Sequence, residues 1–579
     1  MATQQTPRPR RSPLARYAPA LAVVVVIAIV AVVIGLAGGS KKSKKEGSPN
    51  PPINGAFTDV PIFYNEAKQQ GTLAKYTWQP NCDTTTGDVA IPILNPPPCV
   101  PAPAGSNGGK TSGGVSATTI KIGYYIAPND PTYTPLLQAA GAYDTPDATA
   151  HAYQDYMQIY SHLYELYGRQ VQLVRINGSG ASNDELAAKS DADRAADDGV
   201  FAVMGGPAQA RSFSTELARR HVLCIGQCVV SAPQAFVTQN SPYIWPTGPS
   251  PEQTALMTTD LIKNQLLGHD AVYAGEPSLQ SKPRTFALLS YDTPDGEYKA
   301  SWDTFYKDLQ NAGAHTVGHI TYGLNQTTLV TDARTVATRL KATGATTIVF
   351  TGDPIFPEFL TQQMTEQGYF PEWVMAGTVL ADTNVFARRF DTKQWSHAFG
   401  LQLTPARLPK PQQDSYTLHQ WWFGSPPPTQ NNFALVKGDV ELVMDGIQLA
   451  GPKLTADTFR DGMFHWPPQS PGPNALRDIV SYGNHGFWSG TDYNGLDNAG
   501  ILYWDPNAVG ADETGAVGKG MYRLLNGGRR YLPDQWPTTP VKLFDPANTV
   551  TIYSATDIPP DLLPKKEPVP AGAPTHKSG

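Results

Sequence analysis

Residues able to bind a small molecule follow several predicted strands, where loops open onto one edge of a sheet. Acidic side chains such as Asp295 and Asp353 could meet a cationic group, and Gly206 would let a ligand approach the backbone closely. The alternative is that these are ordinary turn residues and helix caps, because any α/β fold takes both from the same residue types. We predict ligand contacts from the following ten residues: Asp130, Gly206, Pro207, Gln209, Ser231, Tyr291, Asp295, Asp353, Phe356 and Thr378.

Motifs that would indicate an enzyme are missing from the sequence. It has no G-x-S-x-G nucleophile elbow and no H-E-x-x-H zinc motif, and the 11 histidines are scattered without ligand spacing. The stretch 105–111 (GSNGGKT) imitates a phosphate-binding loop but is one residue too short, and no apolar strand runs into it. We therefore predict no catalytic residue, no metal and no cofactor. A pair of carboxylates that meets only in space leaves an extracellular enzyme as an alternative.

The four cysteines form two pairs that are close in the sequence, Cys82 with Cys99 and Cys224 with Cys228. An even number of cysteines is typical of an oxidising compartment, and the spacings lack the histidines of a zinc finger. We predict a disulfide in each pair, with Cys82–Cys99 the better supported. A straight strand would hold Cys224 and Cys228 about 13 Å apart, beyond the ~7 Å limit, so this pair needs a turn at 226–227. Two buried free thiols are the alternative there.

Composition excludes several classes of protein. Proline and glycine make up about 9% each of the 579 residues and charged residues only 16%, which excludes a coiled coil and a highly charged disordered chain. Residues 1–45 carry eight basic side chains and no acid, so 36 basic and 50 acidic residues remain, with a net charge of −14. Such an acidic body argues against nucleic acid as a partner, because phosphate binding needs a basic face.

An uncharged segment lies between two basic clusters near the N-terminus. Residues 20–37 (ALAVVVVIAIVAVVIGLA) are 18 apolar residues, which as a helix reach about 27 Å and can span a thin or tilted bilayer. We predict a single-pass anchor over 18–39, a cytoplasmic tail over 1–17 and the body on the extracytoplasmic side. A cleaved signal peptide is the alternative, although its apolar core is usually shorter. Residues 40–115, which end in Pro/Gly tracts, are predicted to be a linker with one disulfide-closed subdomain.

From Ser116 the pattern changes to alternating strand and helix signals. Such alternation predicts an α/β fold with mostly parallel, doubly wound sheets, and its length predicts two lobes, 116–247 and 248–380. Residues 381–545 then return to complete both lobes, and 546–579 form a C-terminal tail. Tyrosines at helical spacing over 153–167 are predicted to form a packed helix face. The predicted strands are 119–127, 171–176, 201–206, 221–226, 284–291, 346–352 and 373–378.

This order of elements resembles the type I periplasmic solute-binding proteins, in particular the branched-chain amino-acid binding group of ABC transporters. The resemblance covers roughly residues 116–545. It implies two lobes joined by three crossovers, which close on a small solute in the cleft between them, and an ABC transporter permease as a partner. Its carriers are the segments 120–128 (IKIGYYIAP), 199–226 (GVFAVMGGPAQARSFSTELARRHVLCIG), 284–313 (RTFALLSYDTPDGEYKASWDTFYKDLQNAG) and 331–378.

The same resemblance implies an amino acid or amino-acid-like ligand, yet the family's ligand-binding residues are matched only in part. Small hydroxyl residues that bind the carboxylate are replaced by Pro207 and Ala208 in one loop, and Ser231 is displaced in the next. At the position of the acid that binds the ammonium group stand Gly377 and Thr378. Another small polar or aromatic-containing solute is therefore an alternative ligand. An extracellular enzyme, and a sensor or cell-envelope adaptor on the same two-lobe fold, are the alternative functions.

Overall fold

The computed structural model describes residue 57 and residues 59–574, except 130–133, 135–137, 139–142, 208–209, 293–295, 297, 326–327, 378–379, 470–474 and 486. The predicted anchor over 18–39 and the cytoplasmic tail lie outside these residues. Within the part of the chain that is described, no helix combines the length and the apolarity needed to cross a bilayer.

The first lobe is built on a five-stranded sheet with the order β4-β3-β5-β6-β7, in which all strands run parallel. Strand β5 is buried along its whole length, which explains why it reads as a continuous apolar run. The elements up to the end of this sheet are α1 (Tyr64–Gln69), β1 (Cys82–Asp83), β2 (Asp88–Val89), β3 (Thr119–Ile126), α2 (Pro146–Leu163), β4 (Gln170–Asn177), α3 (Glu185–Asp197), β5 (Ala202–Met204), α4 (Arg211–Arg219), β6 (Leu223–Val230), α5 (Gln234–Gln239) and β7 (Ile244–Thr247).

The second lobe repeats this arrangement. Its parallel strands have the order β9-β8-β10-β11-β12, and an antiparallel extension, β13 and β14, continues the sheet beyond β12. The elements of this lobe up to β12 are α6 (Pro251–Gln265), α7 (Pro277–Gln280), β8 (Phe286–Tyr291), α8 (Lys299–Asn311), β9 (Thr316–Tyr322), α9 (Leu329–Thr343), β10 (Thr347–Thr351), α10 (Phe356–Glu366), β11 (Glu372–Met375), α11 (Asn384–Ala387), α12 (Thr392–Trp395) and β12 (Ala398–Gln402).

The remaining elements return to both lobes. Three helices, which begin with α13, pack in the core of lobe 1, while three strands, which begin with β13, join the sheet of lobe 2. These elements are α13 (Asp414–Phe423), α14 (Phe433–Ala450), α15 (Ala456–His465), β13 (Ala499–Ala511), β14 (Val517–Leu524) and β15 (Arg530–Tyr531). The protein is therefore a two-lobe α/β structure built on parallel sheets.

The chain passes between the two cores along three stretches. The first joins β7 to α6, which begins sharply because Ser250 and Gln253 form a capping box around Pro251. The second joins β12 to α13, and the third leads from Tyr493 in the core of lobe 1 to β13 in lobe 2.

Much of the segment predicted as a linker over 40–115 packs onto lobe 1 where it is described, and the disulfide-closed part predicted within it is present. Phe63, Val89, Ile91 and Val100 are buried in the core of lobe 1, so residues 59–115 are part of that lobe rather than a spacer. Gln448 of α14 donates to the carbonyl of Pro98 at 3.0 Å, which anchors the segment further. The Pro-rich chain here contacts α14 through Pro98. Its apolar side chains are too few to show the periodicity that would have indicated packing.

The predicted C-terminal tail is also packed where it is described. Leu562 is buried, and Glu567 accepts a hydrogen bond on its carbonyl from Trp421 of α13 at 2.9 Å. The predicted tyrosine face is confirmed, because the five tyrosines of 153–167 are at most 6% exposed. The helix itself ends at Leu163, so the last two tyrosines pack from the following turn.

Candidate functional site

The predicted ligand loops follow the carboxyl ends of the strands, near the point in each sheet where the winding of the chain reverses. In the order β4-β3-β5 the chain reverses its winding between β3 and β5, and in β9-β8-β10 it does so between β8 and β10. At such switch points the loops that follow neighbouring strands separate and leave a crevice at the carboxyl ends. By sequence position, the loops after β3, β5, β8 and β10 contain six of the ten predicted ligand residues, and two more, Tyr291 and Phe356, lie at the ends of elements that border these loops.

A glutamate joins the two lobes beside these loops. The Glu252 carboxylate, in the first turn of α6, accepts from the backbone N–H of Gln234 at 3.2 Å and from the Ser301 hydroxyl at 3.3 Å. Gln234 begins α5, behind the loop after β6, and Ser301 lies in the first turn of α8, behind the loop after β8. Loops from the carboxyl edges of both sheets are therefore close together in space.

In lobe 1 a buried carboxylate holds the irregular turn within β6, where the register of the strand shifts. Asp439 of α14 is 2% exposed and accepts from the backbone N–H of Gln227 at 2.8 Å, from the Gln227 amide at 3.0 Å and from the Tyr153 hydroxyl at 2.7 Å. Burial raises the pKa of Asp439 to about 7, although these three donors oppose the rise. Burial and the neighbouring negative charge of Asp439 hold the pKa of Tyr153 well above its ordinary value, so its hydroxyl remains a donor.

Both predicted disulfides are confirmed. Cys82–Cys99 has a Cα–Cα distance of 5.5 Å, and Cys224–Cys228 one of 5.4 Å. The turn required at 226–227 is present, because Gly226 has a φ of +62° and the register of β6 shifts between Gly226 and Val230. A Cβ at Gly226 would lie 2.0 Å from Asp439 Oδ1, so only glycine fits this turn.

The disulfide loop also contacts the loop after β5. A Cβ on Gly206 would lie 3.2 Å from the Cα and the carbonyl oxygen of Cys228. Gly206 therefore lies against the backbone of Cys228. Ser231, which directly follows β6, donates its backbone N–H to the Thr247 carbonyl at 3.0 Å.

In lobe 2 the predicted residues form an aromatic group around a helix cap. Tyr322 stacks on Phe356 with ring centroids 4.0 Å apart, and Tyr291 packs against Tyr322 at 5.9 Å. Asp353 accepts from the backbone N–H groups of Ile355 at 2.7 Å and Phe356 at 2.9 Å, and from the Tyr322 hydroxyl. Burial raises the pKa of Asp353 against these donors.

The predicted ligand residues of lobe 2 differ from one another in their contacts and in their exposure. Asp353 Oδ1 accepts from the two N–H groups at the start of α10 and Oδ2 from the Tyr322 hydroxyl, which matches the helix-cap alternative rather than a contact to a cationic group. Phe356 is fully buried, whereas Tyr291 is half-buried at the end of β8. Asp130, Gln209, Asp295 and Thr378 lie outside the described residues, so their role as ligand contacts stays a prediction, as it does for the other six.

Sequence reasoning missed the residues that support these loops. Asp439, Tyr322 and Glu252 lie far along the chain from the loops they hold and belong to no motif. The available signal was Asp439 itself, one of two acids, with Asp445, on the buried side of the apolar helix α14. Within the described part of the chain, no group of three or more His, Cys, Asp and Glu side chains could hold a metal ion.

Comparison with known proteins agrees with this geometry. Residues 141–463 match the model of a family described as periplasmic binding protein. A search of curated protein sequences gives no match.

Solved structures with a similar fold are distant from this chain. A solute-binding protein of an ABC transporter from Rhodopseudomonas palustris, solved with 3,4-dihydroxybenzoic acid, is 16% identical, with a TM-score of 0.44 over 72% of this chain and 98% of that chain. A substrate-binding protein of an ABC transporter from Aeropyrum pernix is 15% identical, with a TM-score of 0.48 over 72% and 97%. A branched-chain amino acid binding protein from Streptococcus pneumoniae, solved with isoleucine, is 14% identical, with a TM-score of 0.43 over 70% and 99%. Such scores assign no ligand to this chain.

Proposed function

Because the chain belongs to the periplasmic binding protein family, we propose that it captures a small solute in the cleft between its two lobes. The observation that carries the proposal is the pair of matching switch points, one in each parallel sheet, together with Glu252, which joins the helix after β6 in lobe 1 to the helix after β8 in lobe 2. Backbone N–H groups and small residues at such edges form ligand sites in open α/β sheets. Binding then draws the lobes together at the three connecting stretches.

The chemistry of the loops favours a solute with an aromatic or apolar body over a free amino acid. An α-ammonium group needs a carboxylate with a free oxygen, and Asp353, the one predicted ligand acid within the described residues, has both oxygens engaged in holding Tyr322 and the start of α10. The half-buried ring of Tyr291 offers instead a flat apolar surface at the end of β8. We rank ring-containing acids and amides first, and amino acids second.

The proposed setting is the extracytoplasmic face of a membrane, with uptake through an ABC-type permease. The apolar segment 20–37 is proposed as the anchor or signal that takes the body across. Two disulfides support an oxidising compartment, since reducing compartments rarely keep such bonds. In this setting the protein binds its solute without converting it and passes it to the permease.

A thermal-shift screen of the full chain tests the capture of a solute. The panel contains aromatic acids, branched-chain amino acids, fatty acids, amides and sugars. A solute at 100 times its Kd stabilises the folded state by about 2.7 kcal/mol, which raises the Tm by a few degrees. If the whole panel leaves the Tm unchanged while a glycoside or an ester is turned over, the binding proposal fails and the enzyme alternative replaces it.

A further inference from the structure

A cavity of about 280 Å³ lies inside lobe 2, away from the predicted ligand loops. Its lining includes Arg284, two residues before β8, and Phe399, near the start of β12. It therefore lies toward the amino ends of these parallel strands, whereas the ligand loops follow the carboxyl ends. The exposed lining residues, which form the mouth of the cavity, are His269, Asp270 and Val272 after α6, and Pro540 in the segment after β15.

The inner wall of the cavity is apolar and belongs to the core of lobe 2. It is formed by α6, by β12 and β13 and by the segment after β15, through Leu261, Leu266, Phe399, Ile501 and Leu543. These five side chains are at most 7% exposed. Protein interiors are packed with few voids larger than a water molecule, so an open space of this size among core residues is unusual.

Polar contacts hold the walls of the cavity in place. Arg284 binds Glu372 at 2.8 and 2.9 Å, and Glu372 also accepts from the backbone N–H of Tyr273 at 3.0 Å, which fixes the chain at the mouth. On the opposite side, Gln265 Oε1 accepts from the backbone N–H of Val541 at 2.9 Å, which ties the segment after β15 to the end of α6. The two sides are therefore fixed apart and do not collapse into the open space.

The interior leaves no buried polar side chain for a ligand to satisfy. Gln265 Nε2 donates to the Pro537 carbonyl. Besides its pair with Glu372, Arg284 donates through Nη1 to the carbonyls of Leu266 at 3.2 Å and His269 at 3.4 Å. A charged ligand would lose its hydration here without compensation, and a water molecule needs two to four polar partners. The chemistry of the interior thus favours an uncharged apolar molecule.

We propose that this cavity is a second binding site, which takes an uncharged hydrocarbon-like molecule the size of an alkyl-substituted aromatic ring. An apolar cavity of about 150 Å³ is enough to bind benzene, so the cavity in lobe 2 has room for a ring and a short alkyl chain. Val272, which is 54% exposed, gives the mouth an apolar rim through which such a molecule can enter. The bound molecule fills the space between α6 and the sheet and completes the core of lobe 2.

Isothermal titration calorimetry of the full chain with n-butylbenzene tests the proposal. We expect one saturable site per chain, and an affinity reduced at least about tenfold in Leu543→Trp, because the indole would occupy the cavity. Val272→Asp, which places a charge at the exposed mouth, should also weaken binding and serves as a second variant in case the first does not fold. The matched control is Val330→Asp, at a valine of α9 that is 46% exposed and does not line the cavity. This control should bind n-butylbenzene like the unmodified chain.

Three results would overturn the second site. One is the absence of saturable binding by the folded chain up to the solubility limit of n-butylbenzene, which would leave the cavity a packing void. Another is equal affinity in the unmodified chain and in both folded cavity variants. The third is a loss of affinity in Tyr291→Ala, which would assign the hydrocarbon to the cleft between the lobes. The titration needs no transported solute, so its outcome is independent of the proposed transport function.

Discussion

Replacement of Asp439 by Asn should remove a pH dependence of stability that comes from lobe 1. The pKa of this carboxyl is raised from 3.8 to about 7 in the folded chain, chiefly by burial. Between those two values the folded state keeps a proton that the unfolded state releases, so the free energy of unfolding falls as the pH rises. Below pH 3.8 and above about pH 7 the two states carry the same charge at this position, and the dependence ends.

The size of the effect follows from the pKa difference. A pKa that rises from 3.8 to about 7 corresponds to about 4 kcal/mol in total, of which about 2.3 kcal/mol lies between pH 5 and pH 7, because the folded-state carboxyl is already half ionised at pH 7. The amide in Asp439→Asn would keep the shape of the side chain and accept from the Gln227 N–H, but it would not titrate. The unmodified chain should therefore lose about 2 to 3 kcal/mol more than Asp439→Asn over that interval.

Equilibrium urea unfolding of both proteins at several pH values measures this difference. Subtraction of the two free energies of unfolding cancels all other titrating groups, provided that the m-values agree. A difference that stays constant from pH 5 to pH 7 would refute the reasoning, because Asp439 would then titrate alike in the folded and unfolded chains. If the unmodified chain instead gained stability relative to Asp439→Asn as the pH rises, the sign of the effect would be reversed, which would point to an unseen cation beside this carboxylate.

Other substitutions test single features of the structure by urea unfolding. Removal of the short Cys224–Cys228 disulfide by a double Ser substitution should cost about 2 kcal/mol, and removal of Cys82–Cys99 about 3 kcal/mol, because its loop is longer. Glu372→Gln should lower the free energy of unfolding by about 3–5 kcal/mol. It leaves Arg284, which Glu372 binds at 2.8 and 2.9 Å, as a buried unpaired cation. An equal loss of stability in Glu358→Gln, whose pair with Arg389 is partly exposed, would contradict this prediction. Gly226→Ala should lower the free energy of unfolding far more than Gly268→Ala, since both glycines have a positive φ but only Gly226 faces Asp439. Equal losses of stability in the two variants would refute the steric role assigned to Gly226.

The fold was largely predictable because the central strands are buried on both faces. The predicted strand 119–127 is β3 (Thr119–Ile126), and the predicted strand 346–352 is β10 (Thr347–Thr351). Strand β9 was missed because it lies at a sheet edge and is only partly buried, so it shows no continuous apolar run. Strand β7 was missed because Pro246 gave its sequence the character of a turn. The spacer prediction for 59–115 failed because packing of a few apolar residues onto a distant helix leaves no periodic signal.

The candidate site was predictable by place but not by role. Gly206 and Tyr291 lie at or just beyond the ends of β5 and β8, which local patterns can indicate, while their role as ligand contacts stays a prediction. The capping role of Asp353 depends on Tyr322, which is 31 residues away in the chain. The support of the disulfide loop depends on Asp439, 212 residues from Gln227. Contacts of this kind arise only when the fold brings distant segments together.

Calorimetric titration of the full chain with the strongest solute from the thermal-shift screen tests the cleft most directly. We predict one solute per chain, an affinity reduced at least about tenfold in Tyr291→Ala, and an unchanged affinity in Tyr306→Ala, which removes a similar half-buried ring of lobe 2 from beside His319. Absence of saturable binding, or equal affinity of the folded Tyr291→Ala protein and the unmodified chain, would contradict a solute site at the carboxyl edge of lobe 2.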